Sequence, residues 1–96
     1  MHELTYSAAV LDELRVAARR YSFYHDGASE ADFVDLIEDA FATALVHPQS
    51  PPRYFGFRDG GDVYRRINVW HFAFLYRVDG PARQLVIERI FHERTG

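Results

Sequence analysis

The sequence lacks two residue types whose absence restricts the chemistry available to the protein. It contains no cysteine, which excludes a disulfide scaffold, thiolate catalysis and a cysteine-ligated zinc site. It also contains no lysine, so all eleven basic residues are arginine and no lysine can act as a general base or form a Schiff base. No run approaches the roughly 18 apolar residues of a membrane-spanning helix. We therefore expect a cytoplasmic protein without membrane attachment.

What is present predicts one folded domain. The 96 residues are 48% hydrophobic and 16% aromatic, well above the content of a disordered chain. A domain of this size buries only about 60–65% of the surface of its unfolded chain, so a second core is not available. The histidines are scattered, with no pair at the helical spacing of a metal site. We expect a single domain over residues 1–96 with no metal and no cofactor.

The formal charge of −3 hides an uneven distribution. Residues 1–48 carry nine acidic and three basic residues, whereas residues 49–96 carry five acidic and eight basic residues. The second half is therefore the basic half. Arginine presents a planar fork that suits carboxylate and phosphate groups, so this half is where an anionic partner is expected to bind.

Two amphipathic helices are predicted in the first half. Ser7 is a plausible N-cap for a helix from Ala8 to Tyr24, and Gly27 breaks the pattern after it. The apolar stripe of this helix, at spacings of 4, 3, 4 and 3, consists of Val10, Leu14, Ala17, Tyr21 and Tyr24. A capping box formed by Ser29 and Asp32 predicts the start of the second helix, which Pro48 ends. The short connection favours a helical hairpin.

Strand patterns occupy both ends of the chain. "HELTYS" predicts a short first strand, and "RYFGF" a brief strand within a loop rich in proline and glycine. "VYRRINVWHFAFLYRVD" turns near residues 68–71, and "GPAR" separates it from "QLVIERIFH". The order predicts an α+β fold, in which an N-terminal strand and a two-helix hairpin pack with a small antiparallel sheet completed by the C-terminal strands. The helices cover one face, which leaves the other for a partner.

Alternation along the strands divides the charged residues between the two faces. Arg65 and Arg66 are adjacent and must point to opposite faces, and Arg66 shares its face with Tyr64 and Asn68. Trp70, Phe72 and Phe74 are more typical of a core than of a base-stacking platform. Solvated arginines at a strand edge and a functional cationic face both remain open for this strand.

The last strand carries a charge where a core residue is expected. Strict alternation places Arg89 with Leu85, Ile87 and Phe91, on a strand that is mostly apolar on both sides. An arginine in such a position is rarely buried without a partner, because desolvation costs several kcal/mol. Either an internal acid such as Glu88 or a bound partner must therefore neutralise Arg89.

His92 is the one side chain near these arginines that can both take up and release a proton near neutral pH, because an unperturbed histidine has a pKa of about 6.5. Cleavage of RNA through the 2′-hydroxyl requires a base, an acid and cations at the phosphate. His92, Glu93 and Tyr76, together with Arg66, Arg89 and Arg94, have the side chains for these roles. A histidine that caps a carbonyl at the strand end is the structural alternative.

The segment "YRRINVWHFAFLYRVDGPARQLVIERIFHERTG" resembles the C-terminal half of RelE/ParE-family toxins, the toxic partners of bacterial type II toxin–antitoxin pairs. The matching residues are Arg65 and Arg66 on one strand, Phe72, Phe74, Tyr76 and Val78 on the next, and Arg89, Ile90, Phe91, His92 and Arg94 on the last. The first half resembles the family more loosely, through a short strand and two helices. Two departures are the net acidic charge and the absence of lysine.

This resemblance implies a toxin that a cognate antitoxin holds inactive in a hetero-oligomer. It implies that the antitoxin lies across the sheet and contacts partner-binding residues: Arg65, Arg66, Arg77, Arg89, His92 and Arg94. The strand "FLYRVD" and the ending "IERIFHERTG" are closer to the ParE-like branch, which implies DNA gyrase as the target. A ribosome-dependent mRNA endoribonuclease with His92, Arg89, Tyr76 and Arg66 as catalytic residues is the alternative, and a degenerate member that only binds its antitoxin is a third.

Overall fold

A computed structural model describes residues 1–56 and 61–93 of the chain. In this part of the chain two α-helices and five strands follow one another in the predicted order. They are β1 (Glu3–Tyr6), α1 (Leu11–Tyr24), α2 (Glu30–Val46), β2 (Arg53–Tyr54), β3 (Tyr64–Val69), β4 (Phe72–Asp79) and β5 (Gln84–His92), with a single 3₁₀ turn at Ala8–Val10 before α1. The helices pack together on one face of the sheet, and the α+β class is confirmed.

The two helices form where the periodicity and caps predict. Val10 and Ala17 are buried, and Leu14 and Tyr21 are partly buried against the core, but Tyr24 at the end of the stripe is 67% exposed. The α2 capping box is confirmed: the Ser29 hydroxyl accepts a hydrogen bond from the Asp32 amide (3.2 Å), and the Asp32 carboxylate accepts one from the Ser29 amide (2.7 Å). A reciprocal pair of this kind satisfies two amide groups that the first turn leaves without helical partners.

The predicted cap at the first helix is only half correct. Ser7 does precede the helical residues with extended backbone angles, but its side chain makes no capping hydrogen bond. Within the described residues, its hydroxyl oxygen is buried without a hydrogen-bond partner. The start of this helical segment therefore depends on the burial of Val10 rather than on a serine cap.

The five strands form one sheet in the order β1-β5-β4-β3-β2. Strands β2 to β5 are antiparallel to their neighbours, whereas β1 pairs parallel to β5, with Glu3 opposite Gln84 and Tyr6 opposite Ile87. The sheet is therefore mixed rather than wholly antiparallel. The alternation of apolar residues indicates that β1 is a strand but carries no information about its direction, which depends on the path through the helices.

The main core lies between the helices and one face of the sheet. Phe33 and Phe41 of α2 are fully buried and pack against β4, with ring centroids 6.3 Å apart for Phe33 and Phe74 and 5.6 Å apart for Phe41 and Tyr76. Phe72 and Phe74 are thus core residues, as predicted. Burial of such side chains contributes roughly 1.5–3 kcal/mol each.

The other face of the sheet carries no helix, and we call it the open face. Its register rows run Asn68, Ala73, Phe91 and then Arg66, Leu75, Arg89 across β3, β4 and β5, with Arg77 opposite Val86 in the next row. It is not bare, because four of its side chains are buried: Tyr64, Ala73, Leu75 and Val86. We call these four buried side chains the apolar floor. The open face therefore combines this apolar floor with partly exposed arginine side chains.

A β-bulge in β5 overturns the predicted alternation of that strand. Tyr76 lies opposite Ile87, but Leu75 lies opposite Arg89, so Glu88 is the extra residue. An extra residue of this kind shifts the alternation of everything that follows it. Arg89 consequently lies on the open face with Phe91, and not on the helix-covered face with Leu85 and Ile87 as strict alternation predicts.

The predicted turn between β3 and β4 is confirmed at Trp70 and His71. Trp70 has a φ of 53°, a region that residues with a side chain seldom occupy. Two-residue hairpin turns of this kind usually carry glycine or asparagine at such a position. The tryptophan ring packs against the core beside Tyr21 and Phe72, which offsets part of the backbone cost.

Candidate partner-binding surface

The open face displays two arginines in one register row. Arg66 and Arg89 flank Leu75, whose side chain is 1% exposed. Arg66 forms an ion pair with Glu93, and its Nε donates a hydrogen bond to Asn68 Oδ1 (2.9 Å). A third arginine on this face, Arg77, pairs with Glu88 (Nε to Oε1, 3.1 Å). The row is therefore cationic in composition but internally paired.

Arg89 forms its ion pair with a glutamate of helix α1 and not with a residue of a neighbouring strand. Its Nε lies 3.2 Å from Glu13 Oε2 on α1, whereas the Glu88 named by the sequence interpretation pairs with Arg77. An internal acid thus neutralises Arg89, as one of the two predicted alternatives requires. Because the Arg89 side chain is 45% exposed, the pair contributes little to stability and can be exchanged for another carboxylate.

Glu13 also completes the edge of the sheet. Its second carboxylate oxygen accepts a hydrogen bond from the Ile90 amide (3.0 Å). Strand β1 ends its pairing at Tyr6, opposite Ile87, so the amide of Ile90 lies beyond the end of β1. A buried or partly buried amide without a partner is costly, and the glutamate supplies the acceptor that a strand carbonyl would otherwise provide.

Arg65 lies on the opposite side of β3 from Arg66, as alternation predicts. Its guanidinium donates to the Pro51 carbonyl oxygen (2.7 Å) and to Gln49 Oε1 (2.7 Å). Both acceptors belong to the loop between α2 and β2. Arg65 therefore attaches this loop to the sheet, and its donors point away from the open face.

Tyr76 lies on the helix-covered face and has a structural environment. Its side chain is fully buried, and its hydroxyl donates a hydrogen bond to the Pro48 carbonyl oxygen (2.8 Å). Burial raises the pKa of Tyr76 from 10.0 to about 12, although the charge of Arg65 acts in the opposite direction. Tyr76 is therefore a neutral hydrogen-bond donor at physiological pH.

His92 lies in a pocket at the end of the sheet, which we call the aromatic pocket. It is lined by Arg20, Tyr24, Trp70, His71 and His92 and has a volume of about 210 Å³. His92 is opposite Phe72, on the helix-covered side, and its ring is edge-on to that phenylalanine at 5.4 Å. The rings of His71 and His92 are parallel, with centroids 6.2 Å apart. The pocket therefore joins the last residue of β5 to the end of α1.

The structure divides the sequence-predicted site residues among three places. Arg66, Arg77 and Arg89 share the open face, Arg65 and Tyr76 lie on the other side, and His92 lines the aromatic pocket. Arg94 lies outside the described residues. Glu93, the residue after His92, bends back to the open face through its pair with Arg66.

Three residues that matter at these sites were not found from the sequence. Glu13, Arg20 and Tyr24 all belong to α1; the periodic pattern assigns no role to the first two and places Tyr24 on the apolar stripe. Their partners lie about 50 to 80 positions away in the chain, so no local pattern identifies them. The one available signal was the tryptophan in a turn, because "NVWHF" places an unusual residue where a hairpin must reverse.

Neither a metal site nor a membrane-spanning helix is found in the described part of the chain. Among residues 1–56 and 61–93, no three histidine, aspartate or glutamate side chains are grouped so that they could hold a metal ion. In the same part of the chain, neither helix is long and apolar enough to cross a membrane.

The fold and the open face together indicate a class of protein. An N-terminal strand, a helical hairpin and an antiparallel meander with an arginine-bearing face have the organisation expected of a RelE/ParE-like toxin. Comparison with family models makes the class specific: residues 4–95 match the ParE toxin of the type II toxin–antitoxin system parDE. The chain therefore belongs to the ParE toxin family, whose members pair with a cognate ParD antitoxin. No curated protein matches the chain significantly.

Proposed function

We propose that this ParE-family toxin inhibits growth by binding DNA gyrase, and that its cognate antitoxin neutralises it by lying across the open face in a hetero-oligomer. The observation that carries the proposal is the separation of the groups that RNA cleavage would require. A nuclease needs its base, its acid and its cations around one phosphate. Here His92, Tyr76 and the pair Arg66 and Arg89 lie in three different places.

Each of these groups is also engaged in a way that suits structure or protein binding. The Tyr76 hydroxyl holds the Pro48 carbonyl, and its pKa of about 12 makes it a poor proton donor at neutral pH. Arg66 and Arg89 pair with Glu93 and Glu13 on the open face, whereas His92 lies on the helix-covered side, so no proton carrier among the described residues accompanies the two arginines. A non-catalytic mode of inhibition agrees with this arrangement.

The charge pattern favours a protein partner over RNA. Nucleic-acid binding depends on many unopposed cations along the phosphate backbone, and this chain has a net charge of −3 without any lysine. The open face instead alternates arginines with their own carboxylates above an apolar floor. A surface of mixed charge and apolar area is typical of a protein–protein interface.

An antitoxin segment with acidic side chains can replace the internal acids of the open face. The Arg66–Glu93 and Arg89–Glu13 pairs are partly exposed, with all four side chains between 27% and 45% accessible. Such pairs contribute only about 0–1 kcal/mol each, so Arg66 and Arg89 can exchange their carboxylate partners at little cost while Glu13 keeps its hydrogen bond to the Ile90 amide. Partner carboxylates would then pair with these arginines, and the apolar floor around Leu75 would supply buried area.

The antitoxin surface is tested by measuring antitoxin affinity. Arg66→Ala and Arg89→Ala should each weaken binding by about ten-fold, which corresponds to ~1.4 kcal/mol. Arg83→Ala, in the exposed turn between β4 and β5, is the matched control and should bind like wild type. Unchanged affinity in both open-face variants would show that the antitoxin docks elsewhere.

The target is tested by inducing the toxin and following growth, transcript integrity and DNA supercoiling in parallel, with inhibition of purified gyrase measured separately. We expect growth arrest, altered supercoiling and intact transcripts, all reversed by the antitoxin. Cut transcripts that become intact in His92→Gln would instead identify the ribosome-dependent mRNA endoribonuclease. Normal growth would identify a degenerate member that only binds its antitoxin.

A further inference from the structure

The aromatic pocket is built from three separated segments that meet at one end of the molecule. Arg20 and Tyr24 are one helical turn apart on α1, Trp70 and His71 form the β3–β4 turn, and His92 ends β5. At about 210 Å³ it is smaller than the roughly 300–1,000 Å³ of pockets that hold small molecules or cofactors. Its size suits one inserted side chain of a protein partner.

The backbone at Trp70 is held in a conformation that its own side chain disfavours. With a φ of 53°, this turn position would be easier for glycine or asparagine. The indole instead makes edge contacts with Tyr21 (5.4 Å) and His71 (4.6 Å) and lines the pocket. Arg83 in the β4–β5 turn has a similar φ of 56°, and the Trp70 indole also packs against the core, so the place of the indole in the pocket lining, rather than the backbone strain, supports a binding role.

The aromatic rings of the pocket remain accessible. Tyr24 is 67% exposed although the apolar stripe of α1 predicts it as a core residue. It lies beside Trp70, with ring centroids 6.1 Å apart. A large aromatic side chain that the core does not use, next to a tryptophan and an arginine, has the composition of the residues that dominate protein–protein binding energies.

The charge at the pocket differs from that of the open face. In residues 1–56 and 61–93, no carboxylate lies within ion-pair distance of Arg20, whereas Arg66, Arg77 and Arg89 each have one. An exposed guanidinium without an acid attracts a carboxylate or a phosphate. A single such arginine does not make a track for a nucleic-acid backbone, so a carboxylate on a protein is the better match.

We propose that the aromatic pocket is the part of the toxin that grips its protein target, and this inference rests on the proposed function. It takes an aromatic or large aliphatic side chain of gyrase against the rings of Tyr24 and Trp70, which contact each other, while an adjacent acidic residue of gyrase pairs with Arg20. His71 and His92 form the far wall of the pocket. The proposed contact thus consists of one gyrase side chain in the pocket and one neighbouring gyrase carboxylate paired with Arg20.

The position of the pocket also connects target binding to neutralisation. Glu93 pairs with Arg66 on the open face and directly follows His92 of the pocket. An antitoxin segment that displaces Glu93 therefore ends at the rim of the pocket. Antitoxin and target would then compete for the toxin without sharing most of their contacts.

The test uses two variants of the pocket with two controls on the same helix. Arg20→Glu and Tyr24→Ala change the pocket, while the controls Arg19→Glu and Val16→Ala reverse a charge and shorten an apolar side chain at exposed positions of α1 that do not line the pocket. Each variant is assayed for growth arrest in cells, inhibition of purified gyrase, affinity for the antitoxin and thermal unfolding. The unfolding measurement is included to check that all four variants are folded.

We expect Arg20→Glu and Tyr24→Ala to lose growth arrest and to require about ten-fold or more protein to inhibit gyrase. Both should keep their antitoxin affinity, and the two controls should behave as wild type. Full activity of both pocket variants would overturn the proposal, and so would a parallel loss of antitoxin affinity, which would assign the pocket to the antitoxin.

The growth assay separates this inference from the proposed function. If the wild-type toxin arrests growth without inhibiting gyrase, the gyrase proposal fails. The pocket is then supported as the grip on another protein target if the two pocket variants alone relieve the arrest, and it is refuted if they do not.

Discussion

Replacing Tyr76 with phenylalanine removes a single hydroxyl from the helix-covered face of β4. The ring is fully buried and packs against Phe41, so the change leaves the shape of the core intact. What it removes is the hydrogen bond to the Pro48 carbonyl oxygen at 2.8 Å. The substitution therefore isolates the link between the sheet and the loop that follows α2.

The stability change at neutral pH follows from the lost acceptor partner. A buried carbonyl that is left without a donor costs about 1–3 kcal/mol. Pro48 is only half-buried, so water can replace part of the bond, and we expect a loss near the lower end, about 1 kcal/mol. Growth inhibition should be retained, because the hydroxyl holds a loop and transfers no proton.

The pH dependence has a definite sign. The folded state raises the pKa of Tyr76 from 10.0 to about 12, so it binds the phenolic proton more tightly than the unfolded chain does. This contribution to stability is complete below pH 10 and is lost as the pH rises from 10 to 12. The wild-type protein should lose about 1.4 kcal/mol from this group by pH 11, and Tyr76→Phe should lose none of it.

The measurement is urea unfolding of both proteins at pH 7, 9, 10 and 11 at constant ionic strength. The difference in unfolding free energy should be present at pH 7 and close by about pH 11, because only the wild type carries the titrating group. Tyr24→Phe, which removes an exposed hydroxyl, is the control and should follow the wild type. Parallel curves for wild type and Tyr76→Phe would refute the reasoning.

Two further predictions concern contacts that connect distant parts of the chain or begin a helix. Glu13→Ala should lower the unfolding free energy by about 2–3 kcal/mol, because both the Ile90 amide and Arg89 lose their acceptor. Glu13→Gln should lower it by less, since an amide oxygen still accepts from Ile90; equal losses in urea unfolding would contradict this. Ser29→Ala should cost about 1 kcal/mol, a decrease of about 4–8 °C in Tm. Ser50→Ala, in an exposed loop, should leave Tm unchanged in the same calorimetric scan.

Elements that depend on nearby residues were predicted correctly from the sequence. The apolar stripe of α1 except for Tyr24, the Ser29 capping box and the turn at residues 68–71 all arise from interactions within a few positions. Opposite faces for Arg65 and Arg66 follow from the geometry of any strand. Such features can be predicted because the residues that interact are close together in the sequence.

Features that depend on distant pairing were not readable. The bulge at Glu88 redirects Arg89, yet nothing in "QLVIERIFH" marks the point where alternation shifts. The acid that neutralises Arg89 is Glu13, 76 positions earlier. The parallel direction of β1 likewise depends on the path of the helices. Each of these is decided by the assembled sheet rather than by a local pattern.

The site was predicted in part for the same reason. A cationic face beyond the helices follows from the order of elements and the placement of arginines. The separation of His92 from Arg89 follows only when the register of β5 is known, because the two residues then lie on opposite faces. Residues that are close together in the sequence of a strand, such as Arg89 and His92, therefore need not belong to the same site.

The pairing of β1 with β5 has a consequence for the synthesis of this protein. Strand β1 is synthesised before its partner β5 and cannot pair until residues 84–92 have been translated, and β4 also needs β5 as its neighbour. A nascent chain without β5 has neither a completed core nor the wall that His92 contributes. Neither the sheet nor the aromatic pocket can therefore be complete until translation has passed residue 92.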